Sequence, residues 1–315
     1  MLDIALPAFS AERFIGEMLD SIHAQTLSNY RILIRDDASS DGTSDIIQQS
    51  IKKFGGRLQV LNEDNGLNLG VIGNYNAVLE STSAPFVALA DADDIWLPNR
   101  LLQARDALIL AEKEFGQRTP LAVCTDSCVI DDGNRLVASS YWNWAKMKPK
   151  ANLDVGRVAM ESIGLGPTMT INRALLDIAL PIPPLAPNPD WWLMLVAVAF
   201  GRVVVLSDPS IYYRRHHSNH TSTPLTSRLI PAIVDTILRP EKIRKRLREL
   251  LNKSSLQSGL MLGRYGSVLC AKDKKRLEAL STIKSGSPLA KRMAIINNGL
   301  WYGSMIKNLA LLLFV

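Results

Sequence analysis

The first hundred residues alternate between short apolar runs and longer segments whose apolar positions recur at helical spacing, the pattern of a parallel sheet with crossover helices. Leu2–Leu6, Tyr30–Arg35, Gln59–Asn62 and Pro85–Ala90 read as four strands. Helices are expected between them at Ala11–Thr26, Ser44–Phe54 and Asn74–Thr82, with Ser39–Thr43 forming a loop and cap and Asn68–Gly73 a second loop. Arg100–Phe115 is a further helix, after which the pattern turns irregular around Trp142 and Trp144. A Pro-rich passage from Pro181 to Pro189 leads into Asp190-Trp191-Trp192, an apolar helix to Phe200, a strand at Val203–Leu206 and a polar run from Tyr212 to Asn219. No internal repeat or low-complexity stretch is visible.

The C-terminal third has a different texture. From Glu241 to Leu251, the apolar residues Ile243, Leu247, Leu250 and Leu251 fall at helical spacing with basic residues between them, which predicts a basic amphipathic helix. Met293–Val315 is mostly apolar but broken by Asn297-Asn298-Gly299 and Lys307. No run reaches the roughly 18 apolar residues a membrane span needs.

Composition bounds the class. With 315 residues, 47% of them apolar and 21% charged, the chain buries a sizeable core and is not disordered; one large domain with an appendage is expected. Three cysteines without a framework spacing argue against a disulfide-stapled secreted protein and for a reducing cytosol. Cys124 and Cys128 have half the spacing of a zinc site without a second pair, so they read as ordinary thiols. Leu2–Pro7 has no basic leader and reads as a first strand rather than a signal peptide. Charge is uneven: from Arg239 onward 16 Lys and Arg face 4 Asp and Glu, a balance of +12 in a chain of +6 overall. The two parts therefore face different partners.

Candidate chemistry collects at strand ends, where an open sheet of this type holds its ligand. Asp91-Ala92-Asp93-Asp94 follows the fourth strand. Such a cluster either makes a solvated turn or presents oxygen ligands to magnesium or manganese, and three carboxylates driven to one sheet edge repel without a cation. Asp36 and Asp37 end the second strand, where they either cap the following helix or accept a hydrogen bond from a pyrimidine N3–H. Asp190 is either an N-cap or a general base beside an aromatic surface formed by Trp191 and Trp192. His216 is either a surface histidine or a ligand to a metal or phosphate.

Taken in order, Leu6-Pro7-Ala8-Phe9, Asp36-Asp37-Ala38-Ser39-Ser40-Asp41-Gly42-Thr43, Asn68-Leu69-Gly70-Val71, Asp91-Ala92-Asp93-Asp94-Ile95-Trp96, Asn172-Arg173-Ala174-Leu175-Leu176, Asp190-Trp191-Trp192 and Tyr213-Arg214-Arg215-His216 with Asn219 resemble the family 2 glycosyltransferases. Within them the chain is most similar to bacterial rhamnosyltransferase-like members. The resemblance covers about two thirds of the chain, residues 2 to 220. It implies an α/β GT-A nucleotide-sugar fold, Rossmann-like with a mostly parallel sheet, over residues 1–225, followed by a basic helical region over 226–315.

It also implies roles. Pro7 and Ala8 would contact the nucleoside, Asp36 or Asp37 the base, Asn68 the nucleotide and Asp91 the ribose. Asp93 and His216 would hold a divalent Mn or Mg ion, and Asp190 would be the catalytic base of an inverting transfer. The donor would be a UDP- or dTDP-linked sugar and the acceptor a glycan or lipid-linked saccharide of the cell envelope. Gly73-Asn74 and Pro189 depart from the family, many of whose members carry a basic residue and a His at those places.

The basic tail suggests a peripheral position at the inner face of the membrane, on anionic lipid; the alternative is a helical bundle with a solvated basic face. A sugar nucleotidyltransferase is disfavoured because Ala8-Phe9-Ser10-Ala11 is no Gly-rich phosphate loop. A non-catalytic nucleotide-sugar or glycan-binding module stays open. Nucleic acid is not an expected partner, since the tail lacks interleaved aromatics.

Overall fold

The computed structural model describes residues 1–61, 66–149, 153–216 and 240–314, with the side chains at 240, 242, 243 and 306 not described. Two compact units emerge. The first comprises Met1–Tyr141, Gly164–Pro184 and Asn188–Asn219; the second is made of Trp142–Ile163, Leu185–Pro187 and the C-terminal part of the chain. The expected boundary at 225/226 falls outside the described residues, as do Asn62 and Asn219.

The first unit is a nine-stranded sheet flanked by helices. Its strands are β1 (Leu2–Ala8), β2 (Tyr30–Asp36), β3 (Leu58–Val60), β4 (Phe86–Leu89), β5 (Ile95–Trp96), β6 (Leu121–Asp131), β7 (Leu136–Ala138), β8 (Met169–Asn172) and β9 (Arg202–Arg215). The order is β3-β2-β1-β4-β8-β6-β9-β5, with β7 beside β6. β1 pairs in parallel with both β2 and β4, and β2 with β3, as the N-terminal alternation predicts.

The α1 (Ile15–His23), α2 (Thr43–Phe54), α3 (Gly70–Glu80) and α4 (Arg100–Phe115) helices follow the expected segments, and α4 has the expected bounds. α1 is shorter than expected. α3 begins four residues early, because the buried Asp37 carboxylate accepts the backbone N–H groups of Leu69 and Gly70 at 2.7 and 2.9 Å and so caps the helix within the predicted loop.

The sheet departs from the reading after residue 115. The segment expected to be irregular contains the 11-residue strand β6, and β8 enters antiparallel between β4 and β6. β9 runs on for 14 residues through the polar Tyr212–Arg215 stretch, because β6 supplies a parallel partner along its length. Cys124 and Cys128 lie on β6 with Cys124 buried and Cys128 partly so. Four residues of strand separate them by roughly 13 Å, too far to share a metal.

A buried carboxylate interrupts the apolar β1. Burial alone raises the pKa of Asp3, but the Arg31 guanidinium at 3.0 and 2.9 Å and the Ser83 and Ala84 N–H groups outweigh it and leave the carboxyl below its ordinary value. β1 is thereby tied to β2 and to the turn that enters β4.

α5 (Tyr141–Trp144), α6 (Val155–Met160), α7 (Arg173–Ala179) and α8 (Pro189–Phe200) follow, then α9 (Pro240–Tyr265), α10 (Ala271–Ser281), α11 (Pro288–Asn298) and α12 (Met305–Phe314). α9 contains the predicted amphipathic segment; Leu247 and Leu251 are buried, as its period requires. The apolar tail is split into α11 and α12 by Gly299, which closes α11 in the left-handed conformation, φ 63°. Within this unit Lys307 pairs with Glu161 and Arg276 with Asp154. No helix among the described residues is long and apolar enough to cross a membrane.

Candidate active site

The site forms where β1, β2 and β4 end. Because the three strands are parallel, their carboxyl ends open on one side. At the β1 and β2 ends Ser10 and Ala38 adopt positive φ, 48° and 61°, and side chains brace the turns: Ser10 and Ala11 donate their N–H groups to the Ser39 and Thr43 hydroxyls, each at 2.8 Å. Non-glycine residues held in this region mark a turn over-determined by its surroundings.

β4 delivers the acidic cluster. Asp91, Asp93 and Asp94 each offer an oxygen within 4.8 Å of the others. Burial, the Asp93 charge and, more weakly, the Asp190 charge push Asp91 up to about 7, against a lowering hydrogen bond from the Tyr75 hydroxyl at 2.5 Å. Asp94 is fully buried and raised well above the ordinary range by burial and by Asp93 and Asp91. It accepts the Arg214 N–H at 3.0 Å, while its Oδ2 atom has no partner. Carboxylates so crowded and desolvated gain from a hard divalent ion, and the orphaned buried oxygen fits one. His216 at the end of β9 joins them through Nε2, 2.8 Å from Asp93 Oδ2.

Asp190 approaches from α8. It stands in the first turn after Pro189; the N-cap is Asn188, so the capping reading of Asp190 is corrected. Asp190 accepts the Trp191 N–H at 2.8 Å, and burial pushes its pKa up to about 6 against the hydrogen bonds from Trp191 and Gly166. Gly166 lies between Asp190 and Tyr75: a Cβ there would sit 3.4 Å from the Asp190 Cβ and 3.6 Å from the Tyr75 hydroxyl. One partly open carboxylate with a raised pKa therefore faces a cluster of three.

Two buried arginines, Arg214 from the quoted Tyr213–His216 run and Arg100 from outside any quoted motif, shape this arrangement. Arg214 reaches Asp93 O through Nε at 2.8 Å and Glu17 through Nη2 at 2.6 Å, and its guanidinium lies 4.6 Å from the Phe14 ring centroid. Arg100 donates to the Leu89, Pro167 and Met169 carbonyls, tying the end of β4 to the 166–168 turn, and stacks 3.9 Å from the Trp96 ring centroid. Burial lowers its pKa to about 9. Tyr75, a mid-helix aromatic of α3, carries no local motif; its role comes from its hydroxyl reaching Asp91, 16 residues on.

The remaining predicted residues divide. Asp37 is an anchor rather than a free base-binding group: its oxygens are taken by Arg35 at 2.5 Å and by the Leu69 and Gly70 N–H groups. Asp36 is half-buried and accepts the Ser39 hydroxyl. Asn68 holds the loop, donating to Asp37 O at 3.0 Å and accepting from Gly70 N–H. Pro7 is partly exposed, whereas the buried Ala8 turns its carbonyl to Asp37 N–H and Asn74. Phe9, which closes the quoted Leu6–Phe9 motif without an assigned role, is 55% exposed next to them. The acceptor-side reading of the tryptophans is corrected: Trp192 is fully buried with its indole N–H on the Ala179 carbonyl at 3.0 Å, and Trp191 is 5% exposed. An apolar helix hides its aromatics in the core before offering them to a ligand.

A half-parallel sheet with an acidic cluster at the end of β4 and a carboxylate opposite it is the GT-A class of nucleotide-sugar fold. The sheet and helices align with S. aureus TarS residues 1–349, solved in complex with UDP-GlcNAc, at TM-score 0.55 and 15% identity over 94% of this chain and 88% of that one. Residues 3–115 match Glycosyl transferase family 2, and over this segment the chain is similar to that family. An uncharacterized glycosyltransferase of Nostoc sp. is 23% identical over 70% of this chain and 66% of its own length. The Escherichia coli protein WfgD, named a UDP-Glc:alpha-D-GlcNAc-diphosphoundecaprenol beta-1,3-glucosyltransferase, is 33% identical over 32% of this chain and 38% of its own. The matches thus span less than two thirds of either relative.

Proposed function

We infer that the protein transfers a sugar, with inversion, from a nucleoside diphosphate to a hydroxyl of a cell-envelope acceptor. The observation that carries this reading is the opposition of Asp190 to the Asp91–Asp93–Asp94 cluster. Asp93 and His216, with Asp91 and Asp94 near them, would hold a magnesium or manganese ion. When bound, that ion neutralises charge on the departing diphosphate.

Asp190 takes the proton from the acceptor hydroxyl as the acceptor oxygen forms its bond to the anomeric carbon. The bond from that carbon to the diphosphate oxygen breaks, and the electron pair leaves with the nucleoside diphosphate. Tyr75 holds Asp91 toward the ribose. Asp36, rather than Asp37, meets the base, with Pro7, Ala8 and Asn68 shaping its pocket through backbone and loop. A UDP-linked donor is favoured over a dTDP-linked one by WfgD, which is named for UDP-glucose; rhamnose is the sugar suggested by motif resemblance. In this reading residues 1–225 carry the reaction, and 226–315 meet an anionic membrane surface that presents a lipid-linked acceptor.

The test is release of nucleoside diphosphate from a panel of UDP- and dTDP-sugars with manganese, for the wild type and Asp93→Ala. Release from one donor, lost in the variant and on chelation, supports the reading. Release of pyrophosphate from a sugar phosphate and a nucleoside triphosphate would mean a nucleotidyltransferase. Donor binding without turnover in the presence of acceptor would mean a binding module.

A further inference from the structure

The helical unit contains a cavity of about 580 Å³ between α9, α11, α12 and the 283–285 turn. Five cations line it, Arg244, Arg248, Lys284, Lys291 and Arg292, and no acidic side chain does. Arg292 is turned to the Leu312 carbonyl at 2.7 Å, and Arg244 pairs with Glu241. Arg248 and Lys284, which are exposed, and the half-buried Lys291 make no side-chain hydrogen bond or ion pair among the described residues. The floor is apolar, formed by Leu247, Leu251 and Ile283, all buried.

The helices bordering this cavity carry a second feature. On α11, Leu289, Met293 and Ile296 are 69, 49 and 50% exposed; on α12, Met305, Leu309 and Leu313 are 87, 61 and 58% exposed. Spacings of four and three residues on α11, and of four and four on α12, put each set on one helix face. Leu313 also lines the cavity. Two apolar stripes exposed beside a cationic hollow are what an interfacial helix pair presents to a bilayer.

We propose that this cavity is a discrete binding site for the phosphate of an anionic lipid, whose chains run along the exposed stripes of α11 and α12. The volume exceeds what a bare phosphate needs, and the apolar floor and stripes give a hydrocarbon chain somewhere to lie that a soluble anion would not use. The proposal rests on the membrane part of the functional reading and sharpens it, from a diffuse attraction to a site with named ligands. It makes no use of the donor crevice.

The experiment is flotation of the full chain with phosphatidylcholine vesicles, with and without phosphatidylglycerol, comparing two sets of three lost charges. Arg248→Gln with Lys284→Gln and Lys291→Gln empties the cavity. Lys272→Gln with Lys274→Gln and Lys275→Gln removes the same charge from α10. At about fivefold per basic residue near an anionic surface, the three-charge cavity set loses roughly a hundredfold in partitioning, while the α10 set stays within roughly tenfold. Met293→Ser with Leu309→Ser weakens partitioning with the cations intact. Equal losses from the two charge sets overturn the proposal in favour of a diffuse field. Full displacement by inorganic phosphate, with the serine variant unaffected, overturns it in favour of a free-anion site. Tighter binding of a single-stranded oligonucleotide, lost in the cavity set, overturns it in favour of nucleic acid. Donor binding measured on the same preparations reports separately on the active-site reading, and melting curves confirm that each variant is folded.

Discussion

Replacing Asp190 with Asn separates its catalytic use from its structural burden. Burial lifts its carboxyl from 3.8 to about 6, a gap that converts to about 3 kcal/mol. Asp190 is only partly buried, so solvent screening reduces this to about 1–2 kcal/mol. Because the folded pKa is raised, folding holds the proton more tightly than the unfolded chain does. The penalty is absent below about pH 4, grows between 4 and 6, and is complete above about 6. Asn keeps an oxygen for the Trp191 N–H at this position, so the variant should be more stable than wild type at pH 8 and equal to it at pH 4. For a domain of this size the gain amounts to about 2–8 °C in melting temperature, read by thermal melts in chelator at both pH values. The same change removes the base and should lower sugar transfer by 10²–10⁴-fold. Wild-type turnover should rise about tenfold per pH unit up to about 6 and then level off, since the base acts only when deprotonated. An Asn variant that melts no higher at pH 8, or that transfers sugar within tenfold of wild type, would refute the argument.

Other changes probe the supporting structure. Tyr75→Phe deletes the 2.5 Å hydrogen bond to Asp91 and should weaken manganese-dependent donor binding about tenfold, measured by calorimetry, with melting temperature nearly unchanged. Asp3→Ala leaves Arg31 without its carboxylate and should cost about 3 kcal/mol in urea unfolding at pH 7. Asp3 has a lowered folded pKa, so its contribution is present above about pH 4 and lost as pH falls through the folded value, and the variant's deficit should shrink at pH 3. Gly201→Ala would put a Cβ 1.8 Å from the Pro120 carbonyl oxygen; the backbone must shift, and a loss of several kcal/mol in the same unfolding assay is expected.

The sequence by itself determined the N-terminal half of the fold. Parallel strands buried on both faces must be apolar throughout, and crossover helices need a 3.6-residue period, so β1, β2, β4 and α4 are legible from local pattern alone. It also determined that Asp91, Asp93 and Asp94 leave a buried strand together, because adjacent residues share a strand end whatever the rest of the chain does. Tertiary structure decided the remainder. Whether a polar run becomes strand depends on a partner, which is why β9 outran its predicted length along β6. That Asp37 is tied up as an anchor was set by the return of the Leu69-Gly70 backbone, 32 and 33 residues away in sequence. Trp191 and Trp192 sit next to a reactive carboxylate in sequence, yet the apolar helix they share turns them into the core. Tyr75, Arg100 and Gly166 became site residues only through contacts across long stretches of chain, which no spacing rule encodes.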